Sequence, residues 1–211
     1  MNNENINTHK KTIFVCIDTQ KDFMNADGKL YVTDAEIIKE TLAKITKYAK
    51  DNNIQVITTS DCHYDNSAEL SDNPDFINTF PPHCMANSVG AELVDETRPC
   101  IFDITFDWKD RLDSRWFALM NLSVNNILIL KDKFDMFAGN PNTDNIIKSI
   151  DPKIAYIYGV AGNVCVNYAV LGLLERGVEV FVFEDAIKDL PNMPSVIESW
   201  VELGAKVIKF N

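Results

Sequence analysis

The sequence predicts an α/β fold, a three-layer α/β/α domain around a central six-stranded, mostly parallel sheet, and three observations carry that expectation. Several runs of strand length are apolar throughout instead of alternating, the pattern of strands buried on both faces. Segments with apolar residues at helical spacing separate them, so successive strands are joined by right-handed helical crossovers that cover both faces of a sheet. At 211 residues the chain has the length of one domain with a full core and no need of staples. One domain is expected over residues 11–211, after a flexible tail at residues 1–10.

The first apolar run is Thr12-Ile13-Phe14-Val15-Cys16-Ile17, which stops at Asp18. Thr33 or Asp34 is placed to cap a helix to about Lys50, with Ile37, Ile38, Leu42, Ile45 and Tyr48 at helical spacing and Asp51-Asn52-Asn53 as its stop. Ile54 to Thr59 reads as a second strand. From Ser60 to about Glu92 the chain is rich in Asp, Asn, Pro and Ser with little periodicity; a loop this long inside a compact domain is normally functional or disordered. Leu93 to Asn125 carries one helical pattern, Lys109 to Leu122, with Leu112, Trp116, Leu119 and Met120 on one face. Asn126 to Leu130 is a third strand, ending at Lys131, and Asn142 to about Ile150 is a short helix. The fourth strand starts at Ile154 and gives way to a glycine-punctuated turn, after which a helical pattern from Asn163 puts Cys165 in its first turn. That helix runs to about Arg176 with Gly177 as its stop. Val178 to Phe183 makes a fifth strand, Met193 to Leu203 a last helix and Ala205 to Phe210 a sixth strand.

A formal charge of −11 argues against a nucleic-acid partner or an anionic membrane surface, because phosphate binding needs clustered Lys and Arg. Five cysteines, Cys16, Cys62, Cys84, Cys100 and Cys165, are an odd number without a C-x-x-C spacing. Reduced thiols and a cytoplasmic setting are therefore expected. The first ten residues lack an apolar signal region and no later apolar run reaches membrane-spanning length, so a soluble, unprocessed chain is expected.

In parallel sheets ligands bind beyond the carboxyl ends of the strands, and Asp18, Lys131 and Cys165 each stand at or just past such an end. Each alone has a plain structural explanation, as a cap, a solvated cation or a packed thiol. Together their types fit nucleophilic catalysis: Cys165 as nucleophile, Asp18 as general acid/base, and Lys131 as the cation that lowers the thiol pKa and orients the acid. No histidine follows any of these strands, so a Cys/His pair is not expected. The long loop carries a second cluster, Asp61-Cys62-His63 and later His83 in Phe80-Pro81-Pro82-His83-Cys84. Carboxylate plus imidazole suits a divalent metal ion, Zn, Mn or Fe, with waters completing an open site. The competing reading is that these are turn and hydrogen-bond residues of a polar loop.

These motifs resemble those of the isochorismatase-like cysteine hydrolases, and within them most closely the nicotinamidases. Ile17-Asp18-Thr19-Gln20-Lys21-Asp22-Phe23 is similar to the family's opening D-x-Q-x-D-F, whose first Asp is catalytic. Lys131-Asp132-Lys133-Phe134-Asp135-Met136-Phe137 resembles K-x-x-[YF]-S-A-F and aligns Lys131, not Lys133, with the catalytic Lys. Gly159-Val160-Ala161-Gly162-Asn163-Val164-Cys165-Val166 is similar to G-V-A-T-D-x-C-V, with Cys165 as nucleophile. The resemblance implies a cis peptide between Val160 and Ala161, with the Ala161 and Cys165 N–H groups turned toward one oxyanion. It also implies that Asp61, His63 and His83 bind a metal that contacts a pyridine nitrogen, with Glu69 at the offset of a further ligand and Asp65 as its rival. Phe23 and Phe80 are candidate walls for the ring. The chain departs from the pattern at Phe80, where many relatives have Trp, at Gly162-Asn163 in place of Thr-Asp, and at Asp135-Met136 in place of Ser-Ala, which puts an extra carboxylate near the site. The segment 93–125 is longer than the pattern needs and is expected to form a lid or a subunit interface, with Trp108 and Trp116 in the core.

The resemblance implies hydrolysis of nicotinamide to nicotinic acid and ammonia through a Cys thioester, in NAD salvage, with a small-molecule amide as substrate, while apolar helices at the sheet edges lead to the expectation of a homo-oligomer. One alternative keeps the triad and takes another small amide, ureido or carbamoyl substrate. A second, of a different class, is a catalytically silent interaction module.

Overall fold

A computed structural model describes residues 6–7, 11–119, 122, 124–191 and 193–210. Its elements run β1 (Thr12–Ile17), α1 (Lys21–Met24), α2 (Lys39–Asp51), β2 (Gln55–Asp61), β3 (Ile104–Phe106), α3 (Ser114–Leu119), β4 (Asn126–Lys131), α4 (Met136–Gly139), α5 (Thr143–Ile150), β5 (Ile154–Val160), α6 (Asn167–Glu175), β6 (Glu179–Lys188), α7 (Ile197–Glu202) and β7 (Lys206–Ile208). The strands form one sheet in the order β3-β4-β2-β1-β5-β6-β7, and every neighbouring pair is parallel. The sheet therefore has seven strands where the sequence predicts six. The additional one, β3, is three residues long, too short to show a period, and it pairs only with β4 at the sheet's edge.

All seven residues of β5 are buried, as its unbroken apolar run requires of a strand covered on both faces. One face stacks Phe14, Tyr156, Tyr158 and Phe183, and Tyr48 of α2 lies against Phe14 with ring centroids 6.2 Å apart. The other face carries smaller aliphatic side chains, Ile13, Val15, Ile17, Ala155 and Ile157, all buried.

Several boundaries move from their sequence positions for local reasons. Asp34 takes a left-handed backbone (φ 60°) and its side chain caps nothing, so a 3₁₀ turn at Ala35–Ile38 precedes α2. That turn leaves Ile37 exposed, while Ile38, Leu42 and Ile45 are buried as their spacing predicts. β6 continues to Lys188 past the charged pair Glu184-Asp185, and α7 begins at Ile197, four residues later than the pattern places it. Among the described residues of segment 93–125 the only helix is the short α3, in place of the expected Lys109–Leu122; Met120 of the expected face lies outside the described residues. Trp116 is 40% exposed, so it is no core residue, and the segment's defining contribution is the edge strand β3. Of the expected tail, only residues 6–7 are described, and there the Asn7 N–H donates to the Tyr156 hydroxyl at 3.0 Å. Among the described residues no helix is long and apolar enough to cross a membrane.

The chain order places the site. From β1 it adds β2, then the edge strand β3, then β4 between those two, and returns to the other side of β1 with β5, β6 and β7. The reversal falls between β1 and β5, the position where the strand ends of an open parallel sheet leave a crevice.

Candidate active site

Four strand ends line that crevice in spatial order: Lys131 at the end of β4, Asp61 at the end of β2, Asp18 just after β1, and Cys165 just after β5. Lys131 and Asp61 are in direct register. All four are buried, Asp18 and Lys131 completely. A charge out of water is tolerated only when paired, and the pairing is internal to the cluster. Lys131 Nζ lies 2.8 Å from Asp18 Oδ2, hydrogen-bonds Asp61 Oδ1, and stands 4.0 Å from Cys165 Sγ. Thr59 donates its hydroxyl to Asp18 Oδ1 at 2.6 Å.

The cluster's electrostatics set the resting proton positions. Burial acts against the charge on Lys131, but Asp18, Asp61 and Cys165 outweigh it and hold the ammonium well above the ordinary lysine range. Burial also raises Asp18 above the ordinary carboxylate range, with Lys131 opposing and Asp61 adding to the rise. Asp61 goes the other way: despite burial, Lys131 and the two imidazoles hold it well below its usual value. Cys165 is pushed well above the ordinary thiol range, first by burial and then by Asp18 and Asp61, against the pull of Lys131. The expectation that Lys131 depresses the thiol pKa is thus corrected in its net effect. The cation acts in that direction and is overridden by desolvation and two carboxylates.

Cys165 sits in a wide π-helical turn, Gly162–Val166, that leads into α6. The Val160–Ala161 peptide is cis, as the family resemblance implies, and Ala161 and Cys165 line the same pocket. Gly159, with φ 121°, faces the Ile17 carbonyl so closely that a Cβ would collide with it. Only glycine lets β5 and β1 close at the point where their two end residues must meet.

Asp61 belongs to a second group with His63 and His83, whose ligand atoms lie within 4.8 Å of one another. Asp61 Oδ2 is 3.5 Å from His83 Nε2 and 3.8 Å from His63 Nε2, longer than hydrogen bonds. His83 Nδ1 is 2.8 Å from the Pro81 carbonyl, which fixes that nitrogen as the donor and leaves Nε2 with a lone pair toward Asp61. His63 is fully buried, and neither ring nitrogen has a hydrogen-bond partner among the described residues. A buried imidazole with two orphaned nitrogens beside a carboxylate and a second imidazole lone pair fits a divalent cation. Glu69 lines the same pocket but stands outside this three-residue group. Both its carboxylate oxygens are 2.9 Å from the Phe134 N–H, and burial first of all raises its pKa to about 7. The rival Asp65 is exposed.

Phe23 and Phe80 both line the pocket and both pack on His83, with ring centroids 5.3 and 6.3 Å from it. Leu30, Val32, Phe134, Val164 and Leu190 complete the apolar lining. Asp135, expected to add a carboxylate near the site, instead caps α4 through the Phe137 N–H at 2.8 Å. Trp108 hydrogen-bonds the Cys62 carbonyl at 3.0 Å and does not line the pocket.

Two residues that position the site escape a sequence reading of chemistry. Gln20 accepts the Asp61 N–H at 2.7 Å and donates to the Asp61 and Ala91 carbonyls at 2.8 and 2.9 Å, clamping the backbone of the residue shared by both groups. Asp22 accepts the Cys84 N–H at 2.7 Å and the Lys29 N–H at 3.1 Å, tying the segment next to His83 to the turn after α1. Both stand in the D-x-Q-x-D-F stretch, where their place in the motif marked them but no chemical role did.

An all-parallel α/β/α sheet with thiol, carboxylate, ammonium and an Asp/His/His group at its carboxyl edge defines a class of protein. A family model for the isochorismatase domain matches residues 12–208, and the chain belongs to that family as an isochorismatase-family hydrolase. It is similar to the nicotinamidase/pyrazinamidase of Mycobacterium tuberculosis, 31% identical over 79 residues, a match spanning 37% of this chain and 41% of that protein. An isochorismatase family protein of Bacillus subtilis, PncA, is 23% identical over 180 residues, 84% of this chain and 86% of that one. Among solved structures, the pyrazinamidase of Pyrococcus horikoshii in complex with zinc superposes with a TM-score of 0.71 at 23% identity, covering 94% of this chain and 99% of that one. The N-carbamoylsarcosine amidase of Thermoplasma acidophilum superposes at 0.72 with 20% identity, covering 95% and 96%. At these identities the likeness is one of fold.

Proposed function

We propose that this hydrolase is a nicotinamidase, converting nicotinamide and water to nicotinic acid and ammonia for NAD salvage in the cytoplasm. One observation carries the reading: Lys131 contacts Asp18 and Asp61 at once, which sets a thiol–acid pair and an Asp/His/His group side by side on one pocket. Because Cys165 rests as a neutral thiol beside an acid of raised pKa, proton transfer to Asp18 accompanies attack of sulfur on the carboxamide carbon. The Ala161 and Cys165 N–H groups hold the developing oxyanion. Asp18 returns the proton to the leaving nitrogen, ammonia departs, and a thioester remains on Cys165. Asp18 then takes a proton from water, whose hydroxyl adds to the acyl carbon and releases the acid and the thiol. Lys131 keeps the two carboxylates apart in charge and orientation through both half-reactions.

Asp61, His63 and His83 would hold the divalent ion, with Glu69 the remaining acid of the pocket available to the ligand set. When bound, that ion supplies a Lewis acid that anchors a ring nitrogen of the substrate. Phe23 and Phe80 flank His83 and wall the planar ring. A homo-oligomer is part of the proposal, on the exposed apolar side chains Ile37, Ile77, Val89 and Ile101.

The test is ammonia release from nicotinamide by wild type and Cys165→Ala, each before and after chelation. Turnover by metal-replete wild type alone supports the reading; turnover surviving in Cys165→Ala removes the nucleophile. The fold likeness to N-carbamoylsarcosine amidase favours a second reading, a carbamoyl or ureido substrate on the same triad. Release of ammonia from such compounds and not from nicotinamide would select it. A catalytically silent module predicts no turnover of any of them and no effect of Cys165→Ala.

A further inference from the structure

The pocket has one wall that no motif announces. Leu190 follows β6 and lines the pocket together with Val164 and Cys165. Two separate contacts hold its loop against the turn that carries the nucleophile. The side-chain amide of Asn163 pairs with both backbone groups of Leu190: Nδ2 donates to the carbonyl at 3.0 Å, and the Leu190 N–H donates to Oδ1 at 2.9 Å. One residue earlier, the Asp189 carboxylate fills the space in which a side chain at position 162 would stand. A Cβ built on Gly162 collides with Asp189 Oδ1, whereas the next nearest atoms, Asp189 Cγ and Ile187 Cδ1, are at ordinary contact distances of 3.4 and 3.6 Å. Glycine at 162 is therefore there for room, and the room is taken by one carboxylate oxygen. Both positions at which the nucleophile turn departs from the T-D pattern are accounted for: Gly162 admits Asp189, and Asn163 grips Leu190.

We infer that Leu190 sets the size of the acyl group admitted beside Cys165, and that Gly162, Asn163 and Asp189 form the interlock that fixes it there. The inference rests on the reading of Cys165 as the reacting thiol of this pocket. It assigns the pocket to small acyl groups, since Leu190 and Val164 line the same pocket as Cys165 and the interlock fixes the Leu190 backbone there. Leu190 is the specificity residue, while Asn163 and Asp189 act through it as positioning residues.

Alkylation of Cys165 by a small reagent, iodoacetamide, and a bulky planar one, N-phenylmaleimide, reads this directly. Rates are followed at the Cys165 peptide by mass spectrometry, with circular dichroism as the check of fold. Leu190→Ala is expected to raise the bulky-to-small rate ratio about tenfold or more, the range opened by removing a few methylene equivalents from an apolar wall. Gly162→Ala, which must displace Asp189, is expected to shift the ratio in the same direction, and to do so by no more than about twofold once Asp189→Ala has removed the clash. A Gly162→Ala protein that fails to fold while Gly162→Ala/Asp189→Ala folds supports the interlock as well. An unchanged ratio in Leu190→Ala overturns the size assignment, and an equal effect of Gly162→Ala with and without Asp189 overturns the interlock. Failure of nicotinamide hydrolysis with the ratio shift intact removes the nicotinamidase reading and leaves this inference standing.

Discussion

Lys131 carries the largest electrostatic consequence of any single side chain. Its ammonium is the counter-charge for two fully desolvated carboxylates, Asp18 and Asp61, and methionine would fill the volume while leaving both unpaired. Removing one partner of a buried ionic group costs about 3–5 kcal/mol, so Lys131→Met is expected to lose that much in urea denaturation at pH 7 and to lose hydrolysis with it. A loss below about 1 kcal/mol would mean that the two acids share a proton instead. Cys16 offers a prediction of the opposite kind, for a thiol outside the chemistry. Burial pushes it up to about 12, against 9.0 for the free group. The unfolded chain ionises first as pH rises, so the stability this thiol contributes is intact below pH 9 and is lost between 9 and about 12. Cys16→Ala is expected to flatten the alkaline limb of a stability–pH curve, and a limb of unchanged slope would refute the assignment.

At the scale of elements, the loop between β2 and β3 has few strands or helices to hold it and depends on α1. Asp22, in that four-residue helix, receives the Cys84 and Lys29 N–H groups. A Cβ at Gly90 would collide with the same carboxylate, so three chain segments close around one buried acid. Asp22→Ala leaves two backbone donors without their acceptor, at a cost of about 1–3 kcal/mol each if they stay buried. Because Cys84 adjoins His83, the variant is expected to weaken metal binding in calorimetric titration as well as to lower the unfolding midpoint. Lower stability with unchanged metal affinity would show that the His83 segment is held by other contacts.

For the whole molecule, the proposed Asp61/His63/His83 site would tie the end of β2 to the later loop segment around His83 through one ion. A ligand that binds only the folded state stabilises it by about 2.7 kcal/mol at a hundredfold excess over Kd. Thermal unfolding of wild type is therefore expected to shift upward with added Zn or Mn and to return on chelation, and His63→Ala is expected to abolish the shift. A shift retained in His63→Ala would place the ion elsewhere.

The sequence by itself determined the apolar strands β1 and β5, and hence a parallel sheet, because burial on both faces leaves a continuous mark in composition; β4 is marked the same way although every second residue of it is only half-buried. It also marked Asp18, Lys131, Cys165 and Asp61 as candidates, since a chemically distinctive residue at or just past the end of such a run is visible without any contact, and His63 and His83 as imidazoles grouped in one long loop; their roles belong to the proposal. Edge strand β3 was invisible, being shorter than one readable period, and the late start of α7 was hidden because local pattern does not report where a chain leaves a helix. Only the tertiary structure decided that Asp61 serves two groups through Lys131, and that burial with two carboxylates raises the Cys165 thiol above its ordinary range. Those outcomes depend on contacts of 2.8 to 4.0 Å between residues 34 to 113 positions apart, and on the loss of water around them, neither of which is written in any local stretch of the chain.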